Sequence, residues 1–290
     1  MRKIKYIVNP AAGQGESKET INLIHDRMKT ADLMYSISIS CYEGHVEILA
    51  KEAAENGYTD VVAVGGDGTV LEAFNGIFNK SVNLGIIPAG TGNDFVRMID
   101  LKKNFDYAID KIIKGETCKV DIGVVNNTHF LNVVGMGIDG EIVSKTESVK
   151  KKIKGSAAYL YSTFASLLNY KCKEITIEID GNIYHRKVYL VAVGNGKFFG
   201  GGMMITPGAK LDSENFEVVI INEMTKRKFA ILFRKVFSGN HVHEKPVEVF
   251  YGKHIKINSN EPILINADGN IIGDTSASIH IIPKAQNVII

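Results

Sequence analysis

The stretch Val61-Val62-Ala63-Val64-Gly65-Gly66-Asp67-Gly68-Thr69 decides the fold class of this chain. Its apolar residues predict a buried strand, and that strand runs directly into a turn rich in glycine. Glycine permits positive φ and lets backbone N–H groups approach a ligand without an intervening Cβ. Thr69 and Glu72 have the spacing of a capping box, which predicts that a helix begins here. The segment is therefore expected to be one β–α unit of a parallel sheet.

The turn from Gly65 to Thr69 has the features of a phosphate site. A helix start offers free N–H groups and the positive end of the helix dipole, and both attract phosphate. Asp67 adds a carboxylate that would repel phosphate alone, and a shared Mg²⁺ ion would remove that conflict. The alternative is a tight β–α turn that binds no ligand.

A second loop favours the phosphate interpretation. The segment 85–95 again leaves a buried strand for a polar, glycine-rich turn that contains Gly90, Thr91, Asn93 and Asp94. Parallel strands end at one edge of a sheet, so this loop, the GGDGT loop and the segment 9–13 should converge there. The sequence contains no G-x-x-x-x-G-K-[ST] motif, so the expected cleft is not a Walker-type site.

The first part of the chain alternates strands and helices. Near-continuous apolar strands separated by helices predict a parallel sheet covered on both faces. The expected strands are 4–8, 37–40, 60–64 and 84–87, and the expected helices are 16–28, 46–55 and 70–78.

The pattern changes near residue 123. A helical stretch at 156–168 is followed by many strands with short turns, which indicates an antiparallel sandwich or barrel-like domain. The expected domains are 1–123 and 124–290, and the last strand is a candidate to return to the first. The expected strands are 175–179, 188–193, 216–221, 247–251, 255–258, 263–266 and 279–282.

Composition excludes several classes of protein. The net charge of +2 gives no overall attraction to nucleic acid. Cys41, Cys118 and Cys172 are too few and too widely spaced for a disulfide framework or a zinc site, which favours a reducing compartment. The sequence has no signal peptide and no long apolar run, so we expect a cytoplasmic protein.

The motifs in their order resemble the catalytic domain of the bacterial diacylglycerol kinases, a family of lipid kinases. Those enzymes share a fold with NAD kinases and 6-phosphofructokinases. The resemblance covers nearly the whole chain. It rests on Asn9-Pro10 with Gly13, Gly65–Thr69, Pro88–Phe95 with Arg97, Gly194–Gly196, Gly200–Met203, Pro207, Ala209, Asp212 and Asp268-Gly269.

The resemblance implies an ATP-dependent kinase that phosphorylates a lipid hydroxyl, with diacylglycerol as the leading acceptor and phosphatidic acid as product. ATP and Mg²⁺ are the implied cofactors, and the family places the catalytic base at Asp268, with Asp67 as a second candidate. The implied nucleotide-binding residues are Asn9, Pro10, Gly13, Gly65, Gly66, Asp67, Gly68, Thr69, Gly90, Thr91, Asn93 and Asp94.

The function has two alternatives, one of which comes from a departure from the family pattern. Asn270 stands where the family usually has Glu, which is compatible with a nucleotide-binding regulatory protein of weak activity. An NAD kinase-like enzyme is the second alternative. Some relatives also have a structural metal near residues 210–215, and Asp212 is the ligand kept here.

Two further motifs have ordinary explanations. Gly135–Gly140 matches G-x-G-x-x-G, but no acid follows at the spacing of a dinucleotide site, so we expect a close-packed turn near the lipid pocket. His241 and His243 have the spacing of two ligands on one strand face. With no third ligand in evidence, they are expected to face solvent.

A lipid kinase must also reach a bilayer. Basic residues lie beside apolar faces in two segments, 150–168 and 226–237, and either could touch an anionic membrane transiently. The alternative is a pair of ordinary amphipathic helices with solvated lysines. A homodimer is left open, and no nucleic-acid partner is expected.

Overall fold

The computed structural model describes residues 2–12, 17–99, 101, 104–150 and 170–290. It divides into two compact units, one of Met1–Ile122 with Pro283–Ile290 and one of Gly123–Ile282. Two long strands cross between the units. β5 (Thr117–Val125) crosses the boundary at 122/123, and β17 (Ala277–Ile289) crosses the one at 282/283. The helix expected at 156–168 lies outside the described residues.

The first unit is a parallel sheet with helices. Its other elements are β1 (Lys3–Val8), α1 (Ser17–Ala31), β2 (Met34–Ile39), α2 (His45–Glu55), β3 (Asp60–Gly65), α3 (Asp67–Ile77), β4 (Asn83–Pro88), α4 (Asp94–Met98) and α5 (Phe105–Lys114). β1 lies between β2 and β3, β4 follows β3, and all these pairings are parallel. The end of β17 also pairs in parallel with β4, with Val288 opposite Leu84.

The apolar pattern explains this sheet. All six positions of β3 are buried, as a strand covered on both faces requires. The expected parallel α/β class is confirmed. The expected capping box is wrong, because α3 begins at Asp67 with Gly66 as its N-cap and no side-chain cap among the described residues. Glu72 instead accepts a hydrogen bond from the backbone N–H of Val46, in the first turn of α2.

The second unit is mainly antiparallel. Its elements are β6 (Thr128–Phe130), β7 (Val133–Gly137), α6 (Ile138–Lys150), β8 (Lys173–Ile179), β9 (Asn182–Gly194), β10 (Phe198–Phe199), β11 (Met203–Met204), β12 (Phe216–Asn222), α7 (Lys226–Val236), a 3₁₀ helix (Asn240–His243), β13 (Val247–Gly252), β14 (His254–Ser259), β15 (Leu264–Ala267) and β16 (Asn270–Asp274). β9 pairs antiparallel with β7, β8 and β12, and β15 pairs with β7 and β16. The antiparallel β class is confirmed.

The second unit has an apolar cluster on each side of its sheet. Along β12, Val218 and Ile220 enter the first cluster, whereas Val219 and Ile221 enter the second. The second cluster also contains residues of α6 and α7. The sheet is therefore buried on one face by other strands and on the other by helices.

Two expectations about short motifs need correction. Gly135–Gly140 is not a turn, because β7 continues through Gly137 and α6 begins at Ile138. His241 does not face solvent. It is buried in the 3₁₀ helix, and its Nε2 lies 2.9 Å from the carbonyl oxygen of Ile205.

Candidate active site

The candidate residues fall into two groups, one in each unit. In the first unit they lie at the carboxyl ends of β1, β3 and β4. The sheet order β2-β1-β3-β4 places its switch point between β1 and β3, since the chain leaves β1 toward one side and returns on the other. Open α/β sheets bind ligands in the crevice at this point.

Asn9 joins the first two loops at the switch point. Its backbone N–H donates to the carbonyl oxygen of Val64 at 3.0 Å, and its Nδ2 donates to Oγ1 of Thr69 at 3.0 Å. Its Oδ1 accepts from the N–H of Ala11 at 3.0 Å, which closes the turn at the exposed Pro10. Asn9 and Thr69 are thus brought together, whereas Gly13 lies outside the described residues.

The GGDGT loop meets the second glycine loop backbone to backbone. A Cβ on Gly90 would lie 2.4 Å from the Cα of Gly66, a distance that real Cβ atoms do not reach. The N–H of Ala89 also donates to the carbonyl oxygen of Gly65 at 2.9 Å. Glycine at position 90 is required for this approach, whereas a Cβ on Gly66 would lie at a tight 3.1 Å from the Cα of Gly90.

Asp67 links these loops through its carboxylate. Its Oδ1 accepts from the N–H of Phe95 at 3.1 Å, in the first turn of α4. Burial raises the pKa of Asp67, and hydrogen bonds from the amides of Phe95, Asp94 and Asn93 oppose that rise. A carboxylate has about four acceptor positions, so Asp67 can hold an amide and still face a cation.

Asn93 shapes the rest of the second loop. It has φ of 51°, its Oδ1 accepts from the N–H of Gly90 at 3.1 Å, and its Nδ2 donates to the carbonyl oxygen of Gly90 at 2.8 Å. Asp94 is buried, with Nε of Arg97 at 3.8 Å, whereas Thr91 is exposed. The polar side chains of the loop therefore hold its backbone in place.

This edge presents main-chain donors rather than charged side chains. The first-turn N–H groups of α3 have no intrahelical partners, and no described side chain caps them. Gly68, in that first turn, is exposed, and a Cβ there would meet nothing within 4 Å. The arrangement suits the oxygens of a phosphate chain.

In the second unit, the carboxylate of Asp268 holds the segment before β7. Oδ2 accepts from the N–H of Leu131 at 2.6 Å, and Oδ1 accepts from those of Asn132 and Val133 at 3.0 Å each. Asn132 N–H also lies 3.3 Å from Oδ2. The usual acceptor positions of this carboxylate are engaged by the backbone. Its assignment as the catalytic base stays a prediction.

Asp180 has the same geometry as Asp268 in a different hairpin. Each has φ of 46° and precedes a glycine with positive φ. Asp180 accepts from the N–H groups of Lys253 and His254, and its own N–H donates to the carbonyl oxygen of His254, as that of Asp268 donates to Val133. We call the set of backbone hydrogen bonds to the carboxylate of Asp268 its clamp. The same kind of turn occurs twice in this unit, at Asp180 and at Asp268.

Sequence reasoning missed Asp139, in the first turn of α6. This acid is fully buried, and burial raises its pKa to about 6. Its Oδ2 accepts from Nδ2 of Asn266 at 2.6 Å, and the absence of a side chain at Gly135 leaves room for it. Oδ1 of Asn266 is buried with no hydrogen-bond partner among the described residues. The available signal was an acid inside an otherwise apolar and glycine-rich segment.

Asp139 is the polar member of a narrow apolar pocket. The cavity volume is about 30 Å³, enough for a water molecule. The remaining lining residues are Ile138, Ile142, Leu190, Phe199, Ile205, Ile221, Phe229, Leu232, Phe233 and Val236.

Asp212 is exposed on the loop before β12. The Oγ of Ser213 lies 3.0 Å from the carbonyl oxygen of Lys210 and 2.9 Å from that of Asn215, and its single O–H can donate to either one of them. The described residues include no group of three or more His, Cys, Asp or Glu side chains that could hold a metal ion. The metal site at Asp212 stays a prediction.

Each of the two units matches a known protein family. Residues 3–125 match the diacylglycerol kinase catalytic domain, and residues 132–290 match the YegS C-terminal NAD kinase beta sandwich-like domain. A diacylglycerol kinase of Staphylococcus haemolyticus (strain JCSC1435) is 31% identical over 281 residues, covering 96% of this chain and 85% of that one. That of Staphylococcus aureus (strain MRSA252) is 30% identical over 279 residues, covering 96% and 89%.

The fold is also similar to that of a solved diacylglycerol kinase structure. A crystal structure of a diacylglycerol kinase from Bacillus anthracis str. Sterne superposes with a TM-score of 0.79 at 25% identity, covering 99% of this chain and 96% of that one. The fold and the loops thus define an enzyme of the kinase class. Within that class, the chain belongs to the diacylglycerol kinase family.

Among the described helices, none combines the length and the apolar character that crossing a membrane would require.

Proposed function

We propose that this enzyme transfers the γ-phosphate of ATP to the hydroxyl of diacylglycerol, giving phosphatidic acid. The observation that carries the proposal is the meeting of three loops at the switch point, held by Asn9, by Asp67 and by the Gly66–Gly90 contact. The names of the similar proteins support diacylglycerol as the acceptor.

The nucleotide would lie on the loops of the first unit, with its phosphates on the N–H groups at the start of α3. Mg²⁺, when bound with ATP, would supply charge neutralisation for the phosphates. The carboxylate of Asp67, beside the amides of α4, is the group that would face this ion. The donor set therefore fits a nucleotide that carries its cation.

The acceptor would lie against the apolar pocket of the second unit. Asp139 and the Oδ1 of Asn266, which has no partner among the described residues, are hydrogen-bond acceptors, and a lipid hydroxyl needs such an acceptor. The small cavity means that an acyl chain would enter by displacing side chains such as Phe229 and Phe233.

In the reaction, the acceptor oxygen forms a bond to the γ-phosphorus, the bond to the bridging oxygen breaks, and ADP leaves. The hydroxyl proton passes to a carboxylate. Asp139 suits this task because a pKa near 6 favours proton uptake near neutral pH. Asp268, the base implied by the family resemblance, would need to release at least one of its backbone hydrogen bonds first.

The test is a panel of acceptors incubated with labelled ATP and Mg²⁺, containing diacylglycerol, phosphatidylglycerol, a sphingoid base and NAD. Labelled phosphatidic acid as the main product supports the proposal. Label in NADP, or nucleotide binding without any labelled product, overturns it in favour of an NAD kinase-like enzyme or a regulatory protein.

Asp67→Asn is the matched variant for this assay. The amide Oδ1 can still accept from Phe95, so the loops stay joined, but the charge that faces the cation is lost. Turnover should fall by about 100-fold or more under conditions where the variant is folded. Stability should fall by about 2 kcal/mol, because one acceptor oxygen becomes a donor near the N–H groups of Asp94 and Asn93. Wild-type turnover in this variant would remove Asp67 from the mechanism.

A further inference from the structure

Helix α7 (Lys226–Val236) has two chemically different faces. Its inner face is buried in the second apolar cluster through Phe229, Leu232 and Val236. Its outer face is exposed and carries no acidic residue. The exposed positions of the helix are Lys226, Arg227, Lys228, Ala230, Ile231 and Arg234.

The cations in the first turn of α7 lie where they lower the stability of the helix. Lys226, Arg227 and Lys228 occupy the first turn, where the helix dipole has its positive end. Cations there lower helix stability, whereas acids would raise it. Thr225 supplies only a single cap, accepting from the N–H of Lys228 at 3.4 Å. Helix stability therefore gives no reason for three cations at this position.

Apolar side chains lie among these cations. Ile231 is 62% exposed and falls on the same helical face as Arg227 and Arg234, four residues after the first and three before the second. Phe237, next to the helix end, is 54% exposed. Exposed cations beside exposed apolar side chains are typical of helices that lie in a membrane interface.

The acids that flank α7 in sequence do not neutralise its outer face. Glu223 pairs with Lys187 at 2.8 Å, and Glu244 pairs with Lys235. In the part of the chain that the structure describes, Arg227, Lys228 and Arg234 have no ion-pair partner. The outer face is thus a local positive surface on a chain whose net charge is only +2.

We propose that the outer face of α7 docks on a bilayer that contains anionic phospholipid. Its cations would bind the anionic headgroups, and Ile231 and Phe237 would insert at the boundary of the acyl chains. A nucleic acid would bind the cations but would offer no apolar layer for Ile231 and Phe237. The inference rests on the proposed function, because it names the surface from which the acceptor is drawn. The same helix also contacts the proposed acceptor site, because Phe229, Leu232 and Val236 on its inner face line the apolar pocket.

The test is co-sedimentation with vesicles of phosphatidylcholine alone or mixed with phosphatidylglycerol, at low and high salt. The variant Arg227→Gln/Arg234→Gln should weaken binding to the anionic vesicles by about 25-fold, or about five-fold per charge. Lys51→Gln/Lys80→Gln removes the same charge from exposed positions elsewhere and should bind as wild type. Ile231→Ser should weaken binding and leave its salt dependence unchanged.

Equal binding of wild type to both kinds of vesicle, or of both double variants to anionic vesicles, overturns the proposal. Equal affinity for an oligonucleotide overturns the choice of lipid. Turnover on acceptor dispersed in detergent is measured in parallel and should be the same in all variants. Binding that depends on α7 without any turnover would sink the kinase proposal and leave the docking surface standing.

Discussion

Asp139 is a buried acid whose ionisation opposes folding. Its folded pKa of about 6 exceeds the ordinary value of 3.8, so between these values the folded protein holds more protons than the unfolded chain. Stability is therefore favoured below pH 4, declines as the pH rises toward 6, and stays lower above that. An acid kept at this cost is a candidate for function rather than for stability.

Asp139→Asn should raise the free energy of unfolding by about 3 kcal/mol at about pH 8 and by little near pH 4. The amide oxygen of the new side chain can still accept from Asn266, so the packing is kept. Urea unfolding at the two pH values measures the difference. A gain that is independent of pH would mean that ionisation of Asp139 is not its source.

Asp268 and Asp180 provide a matched pair for separating structure from catalysis. Replacing either with Asn turns one acceptor oxygen into a donor that faces backbone N–H groups. Each change should cost about 2 kcal/mol of stability, measured by urea unfolding.

The two variants differ in what each says about turnover. If Asp268 serves as the base, Asp268→Asn abolishes turnover while Asp180→Asn keeps it. Equal residual turnover in both variants, under conditions where both are folded, would show that Asp268 has only the structural role of holding the backbone N–H groups.

The local sequence was sufficient to identify Asp67 as a candidate, because it lies in a glycine-rich turn at a helix start, whereas Asp268 was a candidate only through the family resemblance. The sequence could not predict the partners of Asp268, since Leu131 to Val133 lie more than 130 residues earlier. Asp139 was missed for a similar reason. Its pairing with Asn266 spans 127 residues, and burial cannot be read from a local pattern.

At the scale of elements, the two glycine loops of the first unit meet in a close backbone contact. Gly66 and Gly90 touch through their backbones, so no side chain can absorb an added atom. Strand positions were predictable to within a few residues, because buried parallel strands are continuous apolar runs. The helix start at Asp67 was not, because the side chains of Thr69 and Glu72 bond to Asn9 and Val46 rather than to backbone N–H groups at the start of α3.

Gly90→Ala should separate the two loops. The new Cβ would meet the Cα of Gly66 at 2.4 Å, and the resulting strain should cost about 1–3 kcal/mol and weaken nucleotide binding. Gly68→Ala is the control for stability, because a Cβ there meets nothing within 4 Å and lies in the first turn of α3. It should be neutral or stabilising by up to about 1 kcal/mol. Thermal unfolding of both variants measures this, and equal destabilisation would contradict the contact.

At the scale of the whole molecule, the chain leaves the first unit and ends in it again. Pro283–Ile290 belongs to the same unit as Met1–Ile122, and Val288 pairs with Leu84 in β4, the strand that leads into the second glycine loop. The sequence predicted a last strand that is a candidate to return to the first domain, whereas its partner, β4, is known only from the sheet order.

ATP with Mg²⁺ should raise the unfolding temperature, because a ligand that binds only the folded state stabilises it by mass action. At a free concentration 100 times its Kd, the gain is about 2.7 kcal/mol. Removing Mg²⁺ with a chelator should reduce the gain, since the carboxylate of Asp67 then faces bare phosphates. Gly90→Ala should lose the gain, whereas Asp139→Asn, in the other unit, should keep it. A stabilisation by NAD that exceeds that by ATP, or none by either nucleotide, would show that the three loops do not hold the phosphates of ATP.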